Sequence, residues 1–156
     1  MLKKSILWIC VILISAQIFS FSSADSTKSG NTSKKVATVV VEAVKKTRSV
    51  PKSEEPALFE FCHKIVRKTA HFSEYMLLAF FVAALVKSYR LKMGLTFLIS
   101  SLYCLLFAAG DEIHQLFVDG RSGQLTDVLI DFSGALTGLV FFILCRRLYQ
   151  FIRKKS

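Results

Sequence analysis

The chain has 156 residues, is 53% apolar and carries a formal net charge of +10, and its mean hydropathy of +0.47 is too high for an ordinary soluble single-core domain. The basic residues are spread along loops and tails with no base-reading motif, which argues against a nucleic-acid partner and for an anionic membrane surface. The expected fold class is an all-α membrane protein with four transmembrane helices and an amphipathic outer segment.

A membrane-spanning helix needs about 20 mainly apolar residues. Residues 6–21, 69–86, 93–109 and 125–145 meet that demand. The first segment also resembles a signal peptide, with Lys3 and Lys4 before an apolar run and Ser22, Ser23 and Ala24 as a cleavage sequence. Retention as a first transmembrane helix, residues 1–21, is the expectation.

Residues 22–56 read as an extracytoplasmic loop containing an interfacial helix. Ser, Thr and Gly dominate residues 22–33 and predict a loop. Val36, Val39, Val40, Ala43 and Val44 then recur at helical spacing beside Lys35, Lys45 and Lys46, as in a helix lying on the membrane surface, with Pro51 and Pro56 ending it. Residues 57–145 form the expected three-helix core. Within it Leu58, Phe61, Cys62, Ile65 and Thr69 repeat every three or four positions, so an amphipathic helix is expected to run unbroken into the second span. Its polar face carries Glu60, His63, Lys64, Arg67 and Lys68; a charged helix face is ordinarily solvated, which is the reading for His63 and Lys64, with flanking a site the alternative for His63.

Residues 146–156 are a basic tail. Positive residues collect on the cytoplasmic side of a membrane. Lys3, Lys4, residues 87–92 and the tail Arg146, Arg147, Arg153, Lys154 and Lys155 therefore place both termini inside a cytoplasmic membrane. Residues 22–68 hold ten basic and five acidic residues and compete with that assignment.

The same topology brings the polar residues of the core to one outer face. An ionisable residue in a transmembrane segment is costly and is a functional candidate by default. On helices, residues three and four apart share a face. Lys68, His71, Glu74 and Tyr75 form one stripe, Asp111, Glu112, His114 and Gln115 a second, and Asp127 with Asp131 a third. Gly120 and Gly123 permit a tight return between the last two spans that holds Arg121 over the carboxylates. Gly134 and Gly138 make a GxxxG surface for close helix packing.

Three roles are open for the stripes. They could be mutual hydrogen-bond partners holding small helices together. They could bind an anionic or lipid-linked head group, with Lys68 and Arg121 taking phosphate and the carboxylates and histidines taking sugar or amine. They could serve metal or acid and base chemistry, on His71, Asp111 and His114 if a metal is held at all. The spacings HxxE and DExH do not match the HExxH zinc pattern, and no catalytic motif or cofactor signature is present. Cys10, Cys104 and Cys145 fall inside apolar segments and Cys62 outside, with no CxxC, so no disulfide framework is expected.

The sequences Arg67-Lys-Thr-Ala-His71-Phe-Ser-Glu74-Tyr75, Asp111-Glu-Ile-His-Gln-Leu-Phe117 and Gly120-Arg121, followed by Asp127 and Gly134, resemble the VanZ-like membrane protein family. Phe19-Ser-Phe-Ser-Ser23, with Ser29 and Ser33 beyond it, is similar as well. The resemblance implies a multi-pass protein of the bacterial cytoplasmic membrane, some of whose relatives confer low-level teicoplanin resistance, and it implies no settled enzymatic activity. It also implies that Lys68, His71, Tyr75, Asp111, Glu112, His114, Gln115, Arg121 and Asp127 matter, and it favours a retained first helix. Asp131 departs from the family, which often has Asn there, and Asp119 stands where a Pro often precedes Gly-Arg. The function expected is binding of a lipid-linked or glycopeptide-type ligand at an outward-facing polar site, with an effect on glycopeptide tolerance. A membrane-embedded hydrolase or transferase and a purely structural helix-packing protein are the alternatives.

Overall fold

The computed structural model describes residues 2–23, 30–48, 50–118 and 123–155. Five helices follow in chain order: α1 Leu2–Ser23, α2 Gly30–Thr47, α3 Glu55–Ser88, α4 Met93–Gln115 and α5 Leu125–Lys155. No strand occurs among the described residues. Helices α1, α3, α4 and α5 are long and apolar enough to cross a membrane, and large apolar side chains such as Trp8, Ile12, Leu98, Leu106 and Phe141 remain exposed on their outer surfaces. In lipid such surfaces are satisfied, and the helical backbone satisfies itself. The four-span, all-helical reading holds.

The helices outrun the apolar segments that predicted them. α1 continues through Ser22 into Ser23, so the loop expected over 22–33 is shortened from both sides by helix, because nothing in residues 2–23 breaks one. Pro56 opens α3 in its first turn instead of ending α2, where its missing N–H costs nothing. α3 then runs 34 residues without a break, as the repeat from Leu58 to Thr69 predicts. α2 lies against this first part of α3, with Ala37 and Val41 packed on Leu58, Phe59 and Cys62, and Ser33 Oγ and His63 Nε2 are 2.9 Å apart.

α3 touches each of the other four helices. Its closest neighbour is α5, for a reason visible in the GxxxG surface: a Cβ added to Gly134 would overlap the carbonyl oxygen of Phe72, and one added to Gly138 that of Met76. The two backbones meet with no side chain between them. On α4 a second small-residue row, Thr96, Ser100, Cys104 and Ala108, is buried at four-residue spacing. α3 ends in a tight reversal in which Arg90 takes φ of 63°, the Arg90 N–H donates to Lys87 O at 2.9 Å, and Lys87 Nζ donates to Leu91 O.

Helix direction sorts the two ends of the bundle. At one end the Trp8 indole N–H donates to Tyr89 Oη at 3.1 Å, Lys4 Nζ lies 4.2 Å from the Tyr89 ring centroid, and Lys87 shares a surface with Arg146 and Arg147. The start of α1, the α3–α4 turn and the end of α5 thus form one basic end. The polar stripes occupy the other.

Candidate functional site

A cavity of about 20 Å³ opens at the polar end, lined by Arg67, Lys68 and His71 of α3, Glu112 and Gln115 of α4, and Asp127, Ile130 and Asp131 of α5. One water needs roughly 10–15 Å³, so the cavity holds a single water or ion and no sugar or phosphate group. Three sequence stripes do converge. At the rim Lys68 Nζ meets Asp127 Oδ1 at 2.5 Å, with the two side chains 28% and 25% exposed. Deeper in, His71 Nδ1 lies 3.9 Å from Asp131 Oδ2.

A second layer ties α1 and α4 behind this cavity. Ser22 Oγ donates to Asp111 Oδ2 at 2.6 Å, Gln115 Nε2 donates to the same oxygen at 3.2 Å and to Ser22 Oγ at 3.4 Å. Arg67 Nη2 donates to Gln115 Oε1 at 3.3 Å. One polar chain therefore runs from α1 through α4 to α3. Asp111 Oδ1 has no hydrogen-bond partner among the described residues, although Asp111 is only 4% exposed.

Glu112 is 7% exposed and accepts the backbone N–H of Gln124 at 2.5 Å. Its carboxylate thereby pins the return into α5. At Gly123 a Cβ would come within 2.6 Å of Leu116 Cδ2, an exposed side chain that can move aside, and 3.2 Å of Glu112 O, so a larger residue is crowded there. Arg121, the cation expected over the carboxylates, lies in residues 119–122, outside the described residues.

Two stripe members turn elsewhere. Glu74 faces α1, where Gln17 Nε2 donates to its Oε1 at 3.4 Å. His114 stacks on Phe19 with ring centroids 4.5 Å apart. The cause is angular: at about 100° per residue, positions i+3 and i+4 fall on opposite sides of position i, so a four-residue stripe divides between two neighbours. Of the residues named for a metal if one is held, His71 and Asp111 come together with Asp131, one donor atom from each lying within 4.8 Å of the others, while His114 turns to Phe19. His71 Nδ1 and Asp131 Oδ2, at 3.9 Å, stand beyond direct hydrogen-bond reach.

Tyr75 is fully buried, its ring centroid 6.1 Å from that of Phe107, and its hydroxyl has no hydrogen-bond partner among the described residues. A buried unsatisfied hydroxyl costs about 1–3 kcal/mol. Tyr75→Phe is therefore expected to leave thermal unfolding in micelles unchanged or raise the midpoint. A clear drop would show that the hydroxyl is engaged.

Three contributors escaped the sequence reading. Ser22 read as the exit of the first span, Arg67 as part of a charged helix face and Gln17 as one more residue of an apolar run. Only Ser22 and Arg67 carried a signal, since both lie inside the quoted motifs.

Four apolar helices around an ionisable cavity at one end define a multi-spanning membrane protein. The chain belongs to the VanZ/LLP1 family, whose sequence profile matches residues 6–146. That span takes in α1 as well as all three polar stripes. No curated protein and no solved structure gives a significant match.

Proposed function

We propose that this protein binds the head group of a lipid-linked cell-envelope molecule over the mouth of the cavity, and so changes tolerance to glycopeptide antibiotics such as teicoplanin. The observation that carries the reading is the rim. Lys68 and Asp127 are a quarter exposed and belong to different helices, and Arg67 leans on the neutral Gln115. A phosphate can take the place of Asp127 on Lys68 and of Gln115 on Arg67, exchanging one set of acceptors for a stronger one. The cavity itself is too small to admit a head group, so the ligand sits above it while its acyl or prenyl chain stays in lipid.

The orientation that suits this role puts the cavity outside. Lys3, Lys4, Lys87, Arg90, Lys92 and the basic tail gather at the opposite end, as the positive-inside rule asks of a cytoplasmic face. A reporter active only outside the cytoplasm, fused after Lys52, is expected to be active, and a cytoplasmic signal there would put the cavity on the wrong side.

α1 takes part in the site through Ser22, which supports its retention in the working protein. The direct test uses protein in lipid nanodiscs with polyprenyl diphosphate as the probe. Saturable binding is expected, weakened tenfold or more by Lys68→Ala. Equal binding by the wild type and Lys68→Ala would overturn the reading.

A further inference from the structure

Among the described residues the polar end carries more carboxylates than basic side chains. Asp111, Glu112, Asp127 and Asp131 gather there, and the described cations Arg67 and Lys68 are drawn to Gln115 and Asp127 at the rim. Asp111 and Asp131 lie below, 4% and 3% exposed. Burying carboxylates this deeply costs several kcal/mol each unless a positive charge answers them, and among the described residues only the His71 ring, 3.9 Å from Asp131, approaches the pair.

We infer that His71, Asp111 and Asp131 bind one divalent cation at the inner end of the cavity. Each presents a donor atom within 4.8 Å of the other two, from three different helices. Two ligands about 2.1 Å from one metal ion stand roughly 3.0–4.2 Å apart, so the 3.9 Å between His71 Nδ1 and Asp131 Oδ2 already falls in range. The widest pair, within 4.8 Å, exceeds that range by at most about 0.6 Å, a shift that side-chain rotation supplies.

Asp111 supplies the second, independent observation. Its Oδ2 is held by Ser22 and Gln115, which fixes the carboxylate as outer hydrogen bonds fix a metal ligand. Its Oδ1 is buried with no hydrogen-bond partner among the described residues. The adjoining cavity, lined by His71 and Asp131, has room for one ion or one water to complete the coordination.

The donor set decides the metal class. One imidazole and two carboxylates suit a transition metal such as Mn²⁺ or Zn²⁺, whereas Ca²⁺ takes six to eight oxygens and Mg²⁺ favours oxygen and water over an imidazole nitrogen. Glu112, the remaining deep carboxylate, is occupied with the Gln124 N–H. Among the described residues the lysine and arginine on the same lining, Lys68 and Arg67, stand at the rim beside Asp127 and Gln115. A bound cation would leave them available to an anionic head group.

The cation site does not depend on the head-group reading, and its test contains no lipid ligand. Purified full-length protein in detergent, freed of metal by chelator, is titrated with Mn²⁺, with free ion followed by electron paramagnetic resonance. One Mn²⁺ per chain is expected, with pulsed spectra showing coupling to one ring nitrogen. Asp111→Asn and Asp131→Asn are expected to weaken binding at least tenfold, His71→Gln to remove the nitrogen coupling, and His114→Gln to change neither. Absence of saturable binding by the wild type overturns the site, whatever the variants do. So does loss of nitrogen coupling in His114→Gln with retention in His71→Gln. A proton shared between the two aspartates is the competing answer to the same charge problem, and it predicts no saturable Mn²⁺ binding.

Discussion

Gly138→Val is expected to unfold the bundle more readily than any other single change to its apolar interior. The Cβ of a residue at 138 would overlap Met76 O and lie within about 3 Å of Met76 Cα. A crowded side chain can change rotamer, but a helical backbone cannot. Relief requires α3 and α5 to separate, which forfeits dispersion contacts along the tightest seam in the protein. Overpacking in cores costs about 1–3 kcal/mol and sometimes more, and backbone against backbone belongs at the upper end, about 3 kcal/mol. Gly134→Val meets Phe72 in the same way and carries a further consequence. Gly134 is three residues from Asp131 and seven from Asp127, so displacing α5 there pulls Asp131 from His71 and Asp127 from Lys68. Thermal unfolding in micelles checks both variants. The matched control is Gly110→Ala, where nothing lies within 4 Å of the added Cβ; removing a mid-helix glycine should be neutral or gain up to about 1 kcal/mol. Equal midpoints for the Gly138→Val and Gly110→Ala proteins would mean that the seam is looser than it looks.

The seam was legible because GxxxG is a local pattern with one physical reading in an apolar helix. The four spans were legible for a similar reason, since uninterrupted apolar length is a property of the chain and not of its partners. Helix ends were less so. Ser22 and Ser23 read as an exit because serine beside a Ser-rich stretch is ordinary loop chemistry. Its value comes from Asp111, 89 positions away, and no local rule contains that distance. The stripes were found as sets, but not as divisions: His114 and Gln115 are adjacent in sequence, and about 100° of helix rotation sends one to Phe19 and the other to Ser22 and Arg67. Arg67 was read with the charged face of an amphipathic helix, where a side chain normally meets water. The structure turns it inward, where Gln115 accepts its hydrogen bond.

This division separates what holds the site from what the site offers. Glu112 anchors the return into α5, and Ser22 with Gln115 anchors Asp111. Such residues position others, and changing them should disturb stability and function together. Lys68 and Asp127 are different, because they are partly exposed and hold each other at the opening. Polar pairs between membrane helices average about 0.6 kcal/mol and reach about 1.7, so this pair adds little to stability.

A charge swap at Lys68 and Asp127 turns that difference into a decisive result. Lys68→Asp alone leaves Asp127 facing a second carboxylate across the gap that the lysine stem had spanned. It should lower stability by about 1 kcal/mol and, on the proposed head-group role, abolish the teicoplanin tolerance that role confers. Adding Asp127→Lys recreates an ion pair across the same gap, so the midpoint of thermal unfolding should recover. Tolerance should not recover, because the cation now projects from α5, and a head group held by Lys68 and Arg67 on neighbouring positions of one helix meets a carboxylate at the first of them. A purely structural role for the pair predicts the opposite: stability and tolerance return together. Measuring both quantities on the single and double variants, with expression matched, decides between the two. Recovery of tolerance in the swapped protein would remove Lys68 from the ligand site and leave it as a clasp between helices.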